Sequence, residues 1–306
     1  MADRLRAPFP WFGGKSMVAD AVWERFGDVA SFVEPFFGSG AVLLGRPDGA
    51  HGVETVNDLD GFVANFWRSC AHSPTETWVW ADSPVNEVDL HARHVWLIGQ
   101  LDGGFTERLM SDPDWHDPKV AGWWVWGLCA WIGQGWCTNL RRQLPHLGTP
   151  GAGVNSYSVT AGTFAVLSAR MRRTRVTCGD WERVLGKPVV TPNGVLGGVF
   201  LDPPYASDSG HSIEYRGQTG DIADGVREWA LGNGDNPLLR IALCGYASEG
   251  ADVLAEAGWT VHPWKAKGGY GSMGDSGGRV NSARETIWFS PHCLDPANRQ
   301  PALFDA

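Results

Sequence analysis

ASFVEPFFGSGAVLLG (Ala30–Gly45), HGVETVNDLD (His51–Asp60) and GFVANFWRSCAH (Gly61–His72) contain the alternation that decides the fold. An apolar strand through Phe32 and Val33 runs into a glycine turn at Gly38 and Gly40 and then a short helical pattern. A second strand ends on Asn57 and Asp58, and helical periodicity follows it. Strand, glycine loop, helix, strand and acid make a βαβ unit, the start of an open α/β sheet. Glycines after the first strand let a ligand approach the backbone, with helix N–H groups behind them. An acid closing the second strand stands where such sheets bind ribose hydroxyls. The third glycine of the dinucleotide fingerprint is absent, because Leu43 occupies its place, which disfavours a nicotinamide or flavin enzyme. The plainer reading of Gly38 and Gly40 is a tight turn alone.

The alternation returns late in the chain. TRVTCGD (Thr174–Asp180) and GGVFLDPP (Gly197–Pro204) read as strands that each end on an acid. DIADGVREWALGN (Asp221–Asn233) reads as a helix, LLRIALCGY (Leu238–Tyr246) as a buried strand, and ASEGADVLAEAG (Ala247–Gly258) as a helix closed by glycine. WTVHPW (Trp259–Trp264) and ETIWFS (Glu285–Ser290) read as a last strand pair around a long glycine-rich loop, which predicts mobility for 265–284. Between the halves, tryptophan, proline and short polar turns replace the alternation. This predicts a mostly helical insertion over 70–163, with 1–69 and 164–306 forming the α/β domain. Trp123, Trp124, Trp126 and Trp131 are expected in its core rather than at a base-stacking surface.

Length and composition set outer limits. With 306 residues, 43% of them hydrophobic and 19% charged, the chain suits one large domain or a core plus an insertion. The formal net charge of −9 argues against general polyanion binding and leaves room for a local basic groove. ARMRRTR (Ala169–Arg175) is the one basic cluster, and Arg172 and Arg173 are its candidate phosphate contacts. Six cysteines without a CxxC pair or zinc-finger spacing read as reduced thiols. No signal-peptide pattern opens the chain, and VAGWWVWGLCAWI (Val120–Ile132) is too short to span a bilayer. A cytoplasmic, monomeric protein is expected. FGGKS (Phe12–Ser16) does not make a nucleoside-triphosphate loop, because Phe9 stands where its first glycine belongs.

VFLDPPY (Val199–Tyr205) carries the chemistry. Proline cannot continue a sheet, so the strand ends on Asp202 and a stiff turn follows. An exocyclic amino group on an aromatic base is a poor nucleophile, because its lone pair is delocalised into the ring. A carboxylate and a fixed carbonyl that each accept one N–H aim that lone pair outward, and a stacked ring holds the base. Asp202, the Pro203 carbonyl fixed by Pro204, and Tyr205 supply those parts. The matching electrophile is a sulfonium methyl at the glycine loop, transferred by direct displacement with no metal required. Asp180 adds a third strand-end acid, with helix capping as its plainer role.

PWFGGKS (Pro10–Ser16), FVEPFFGSGAV (Phe32–Val42), VNDLDGFVANFWR (Val56–Arg68), CGDWERV (Cys178–Val184) and LDPPY (Leu201–Tyr205), in that order, resemble the motifs of Dam-type adenine-specific DNA methyltransferases. SARETIWFS (Ser282–Ser290) weakly resembles the family's closing strand. The resemblance implies a Rossmann-like S-adenosylmethionine-dependent sheet with an inserted target-recognition domain, acting on double-stranded DNA. It implies that Trp11, Lys15, Asp58 and Asp202 contact S-adenosylmethionine. Glu34, Pro35, Gly38 and Gly40 would shape the pocket, with Asp180 near the cofactor's adenine. Asp202, Pro203, Pro204 and Tyr205 would hold a flipped target adenine. GQGWCTNLRRQLPHLG (Gly133–Gly148) lies where the family carries its DNA-reading hairpin, which makes Asn139, Arg141, Arg142 and Gln143 the candidate DNA contacts. Amino methylation of cytosine, RNA or a protein amide, and a catalytically silent DNA-binding protein of the same fold, stand as alternatives.

Overall fold

The computed structural model describes residues 5–11, 15–47, 49, 51–112, 114–132, 135–137, 144–149, 151–204, 219–246, 251–264 and 285–296. The expected mobile loop 265–284, Tyr205, and the candidate DNA contacts Asn139, Arg141, Arg142 and Gln143 lie outside them. The strands are β1 (Ser31–Glu34), β2 (Val53–Asp58), β3 (Trp131–Ile132), β4 (His146–Leu147), β5 (Thr174–Cys178), β6 (Gly197–Leu201), β7 (Leu239–Tyr246), β8 (Thr260–Pro263) and β9 (Glu285–Phe289). Apart from the small β3–β4 ribbon, they form one seven-stranded sheet in the order β5-β2-β1-β6-β7-β9-β8.

From β5 to β7 every pairing is parallel, whereas β9 runs antiparallel to both β7 and β8. The chain steps outward from β1 to β2 to β5, then reverses and steps from β6 to β7. The order therefore switches between β1 and β6, and there the loops leaving the two strands part and open a crevice at their carboxyl ends. Because β9 is antiparallel, its first residue, Glu285, comes to that same edge.

Side chains alternate across the sheet, as the pleat requires. Phe32, Phe200, Ala242 and Phe289 join one buried cluster, and Val33, Val199, Leu201, Ile241, Leu243 and Trp288 join the other. A sheet buried on both faces reads as continuous apolar runs, and β1 and β6 are buried throughout. On the first face lie α1 (Ala19–Phe26), α2 (Ala41–Leu44) and α3 (Gly61–His72). The α4 (Pro74–Ala81), α5 (Glu87–Asp102), α6 (Phe105–Ser111), α7 (Pro118–Ala130) and α8 (Ala161–Met171) helices follow on that side. The second face carries α9 (Lys187–Val190), α10 (Thr219–Asn233) and α11 (Ala251–Glu256).

The described residues of 70–163 are mostly helical, apart from the β3–β4 ribbon, and are built around buried tryptophans. Trp124 and Trp126 are buried, while Trp123 and Trp131 are half-buried. Its packing is continuous with the sheet layer. Trp124 contacts Phe9, Phe62 and Phe66 in the cluster that also contains Phe32 and Val56. Asn65 of α3 and Asp117, the N-cap of α7, exchange two 2.9 Å hydrogen bonds. Residue 70 lies inside α3 and residue 164 inside α8, so the expected boundaries both fall within helices. Helices α3 and α8 are shared by the two parts.

One polar network lies inside the first layer. Glu54 of β2 pairs with Arg46 at 2.9 Å and with Arg170 of α8 at 2.6 Å, and all three are buried. Arg170 also donates to the Leu43 carbonyl at 2.9 Å and Arg46 to the Val29 carbonyl at 2.5 Å. Arg170 belongs to the basic ARMRRTR cluster, yet it points inward and fastens the glycine-loop helix α2 to β2. All six cysteines are free thiols, and no helix among the described residues is long and apolar enough to cross a membrane.

Candidate active site

Four strand ends build the crevice. After β1 the chain turns at Gly38 (φ 45°) and Gly40 (φ 61°), which take up left-handed backbone. A Cβ on Gly38 would stand 2.3 Å from the Trp11 indole nitrogen, and one on Gly40 would strike the Phe37 ring. Glycine at these two positions is thus required by the turn and by the packing inside it. The short helix α2 does not leave all its N–H groups to a ligand. Leu43 donates to Oε2 of buried Glu34 at 3.3 Å. Burial, above all, raises the Glu34 pKa well above the carboxylate range, and the Leu43 N–H opposes this.

Asp58, at the end of β2, is buried and tied to two loops. Its Oδ2 accepts from the Gly38 N–H and its Oδ1 from the Asp60 N–H, both at 2.9 Å. Burial first, and the charge of Asp60 second, push its pKa up to about 7 against these hydrogen bonds. Asn57 is the neighbour that sequence reading passed over. Its amide donates to the Pro35 carbonyl at 3.1 Å and to the Gly179 carbonyl at 2.8 Å, while its oxygen accepts from Thr177 at 2.9 Å. One buried side chain thereby fixes the loops after β1, β2 and β5 relative to one another. Its signal was a polar residue inside an apolar strand, directly before the strand-end acid.

Asp180 follows β5. Its side chain accepts from the Glu182 N–H at 2.9 Å and so caps the turn Trp181–Val184. It also lines a small cleft together with Pro35, Phe36, Asn57, Leu59 and Ile222. Phe36 stacks on Trp181 beside it, with ring centroids 6.3 Å apart. The cleft is lined mainly by apolar side chains, with Asp180 and Asn57 among its polar residues.

Across the switch point, Asp202 follows β6, with Pro203 buried and Pro204 half-buried behind it. Lys15 reaches Asp202 from the N-terminal turn, Nζ to Oδ1 3.1 Å. The same ammonium lies 3.7 Å from Glu285 Oε2 and 5.4 Å from the centre of the Trp264 ring. Burial acts to lower the Lys15 pKa, but Asp202 and Glu285 outweigh it, so the group stays a cation. Trp11 is half-buried and packs between Gly38 and Trp124.

The crevice thus brings together Trp11, Lys15, Glu34, Pro35, Gly38, Gly40, Asp58, Asp180, Asp202, Pro203 and Pro204. Arg172 and Arg173 are exposed and stand elsewhere. They enter β5 at its amino end, the edge of the sheet opposite the crevice. Comparison with protein-family models and with curated proteins returns no match.

Proposed function

We propose that the chain transfers a methyl group from S-adenosylmethionine to the exocyclic amino group of adenine in a specific duplex DNA sequence. One observation carries the reading. The glycine loop and the Asp202-Pro203-Pro204 turn flank a single topological switch point, with Lys15 pinning the aspartate between them.

The residues fit the donor. Leu59, Phe36, Pro35 and Ile222 offer apolar walls to a flat ring, and Asp180 offers an acceptor to its amino group. Asp58 accepts backbone N–H groups at both oxygens and stands at the strand end where a ribose hydroxyl would be bound. Lys15, Asp202 and Glu285 present both signs of charge, as a zwitterionic amino-acid end requires. When bound, S-adenosylmethionine supplies an electrophilic methyl on a positive sulfur. The Asp202 carboxylate and the Pro203 carbonyl accept the two amine N–H groups and turn the nitrogen lone pair outward. Asp202 takes the proton that the nitrogen sheds on alkylation. Pro203 and Pro204 keep the carbonyl in place, and a flipped base reaches these acceptors where a stacked one would not.

DNA contacts are assigned to Asn139, Arg141, Arg142 and Gln143, which lie outside the described residues. Arg172 and Arg173 are left out because of their edge. The test is transfer of labelled methyl from S-adenosylmethionine to unmodified DNA, followed by mapping of the modified base. Methyladenine in one sequence context is expected, with Asp202→Ala at background. Methylcytosine, or transfer by Asp202→Ala at the wild-type rate, overturns the reading.

A further inference from the structure

We propose that Glu285 is a positioning residue that shares Lys15 with Asp202 and thereby sets how strongly Asp202 accepts a hydrogen bond. The inference rests on the methyl-transfer reading for its consequence in turnover, but not for its geometry.

The β8–β9 hairpin delivers a socket for one ammonium. Pro263 pairs with Thr286, and the Trp264 N–H donates to the Glu285 carbonyl at 3.3 Å. Trp264 therefore covers Lys15 from one side while Glu285 faces it from another. Both side chains are committed to this spot. Among the described residues the Glu285 Oε2 and the Trp264 Nε1 are buried without a hydrogen-bond partner, and the Lys15 ammonium is the opposite charge beside that oxygen.

A lysine with one carboxylate partner closes on it and withdraws electron density from both oxygens. A second carboxylate at 3.7 Å divides the ammonium's attraction and leaves Asp202 the more basic acceptor. Among the described residues, the charged and titratable groups around Asp202 include Lys15 from the N-terminal turn, Glu285 from β9, Cys244 from β7 and Glu34 from β1. Glu285 is the carboxylate that shares the lysine with Asp202. Burial and Asp202 raise its own pKa while Lys15 lowers it, which is the mutual repulsion of two acids around one base.

Glu285→Gln keeps the shape and removes the charge. The Lys15 ammonium is then no longer shared between the two carboxylates, and Asp202 becomes the weaker hydrogen-bond acceptor. Two measurements read this. The first is the carboxyl carbon-13 titration of aspartate-labelled protein, with the Asp202 signal identified by its loss in Asp202→Asn. The second is the pH profile of methyl transfer at saturating donor and DNA. The expected result is a lower Asp202 midpoint, an acid limb shifted to lower pH, and a plateau roughly tenfold down. Glu285→Asp, which keeps the charge, returns the limb toward wild type. An unchanged Asp202 midpoint in Glu285→Gln overturns the inference even if the enzyme methylates adenine. A shifted midpoint in a chain that methylates nothing upholds the coupling and overturns the functional reading alone.

Discussion

Asp58 offers a pH test that needs no substrate. Its carboxyl is buried at the end of β2, and its pKa is raised from the ordinary 3.8 to about 7 by burial and by Asp60. A raised acid pKa means that, between pH 4 and 7, the folded chain holds a proton that the unfolded chain has released. Stability must then fall as pH rises through that window and level off above pH 7. One pKa unit is worth about 1.4 kcal/mol, so the rise amounts to a cost on the order of 4 kcal/mol at pH 8 that is absent at pH 4. The group is fully enclosed, so solvent screening takes little from this figure.

Glu34 and Glu285 also have raised pKa values from burial and contribute the same sign, so the wild-type curve alone cannot isolate Asp58. The comparison with Asp58→Asn can. Asparagine keeps one acceptor for the Gly38 or Asp60 N–H and sets its amide against the other. That costs about 1–3 kcal/mol at every pH. The difference between the two proteins should therefore favour wild type at pH 4 and move toward the variant by roughly 3–4 kcal/mol by pH 8. Urea unfolding at half-unit pH steps reads this directly. Parallel curves for the two proteins would refute the account of Asp58 as an acid held against its charge.

Two further outcomes follow from the placement of the arginines. Arg170→Leu removes two hydrogen bonds to Glu54 and one to the Leu43 carbonyl. A loss of about 3–5 kcal/mol is expected by chemical denaturation, at the lower end because Arg46 still pairs with Glu54. Arg172→Ala and Arg173→Ala, at the far edge of the sheet, should leave DNA affinity and its salt dependence at wild-type values in a titration at several salt concentrations. A flattened salt slope would return them to the phosphate interface.

The fold was legible where chemistry and periodicity coincide. Apolar runs closed by Asp58, Asp180 and Asp202 marked three parallel strands and the edge on which they end. The closing pair β8–β9 was legible as strands, and its direction was not, because alternation carries no sign of parallel or antiparallel pairing. The helical segment was legible by its loss of alternation, but its boundaries were not. Tryptophans that pack among themselves and tryptophans that pack on α3 look alike in sequence, so their pattern does not tell a shared core from a separate one. Nothing in ARMRRTR sets Arg170 apart from its neighbours. A single arginine turns inward only because Glu54, far away in the chain, waits for it under β2.

The site divides along the same line. Residues that follow strands could be placed, because a strand's carboxyl end is a position that sequence defines. Asn57 and Glu285 could not, since each acts sideways, across strands. Asn57 joins three loops whose separations in sequence are long, and Glu285 depends on β9 running backward to reach the edge where Lys15 lies. An acid opening an apolar strand near the end of a chain is ordinary in sequence. It becomes informative once antiparallel pairing turns the first residue of that strand toward the carboxyl ends of all the others. Lys15, before the first strand, and Glu285, in the last, therefore meet at Asp202 from opposite ends of the described chain, and neither end alone reveals the ion pair.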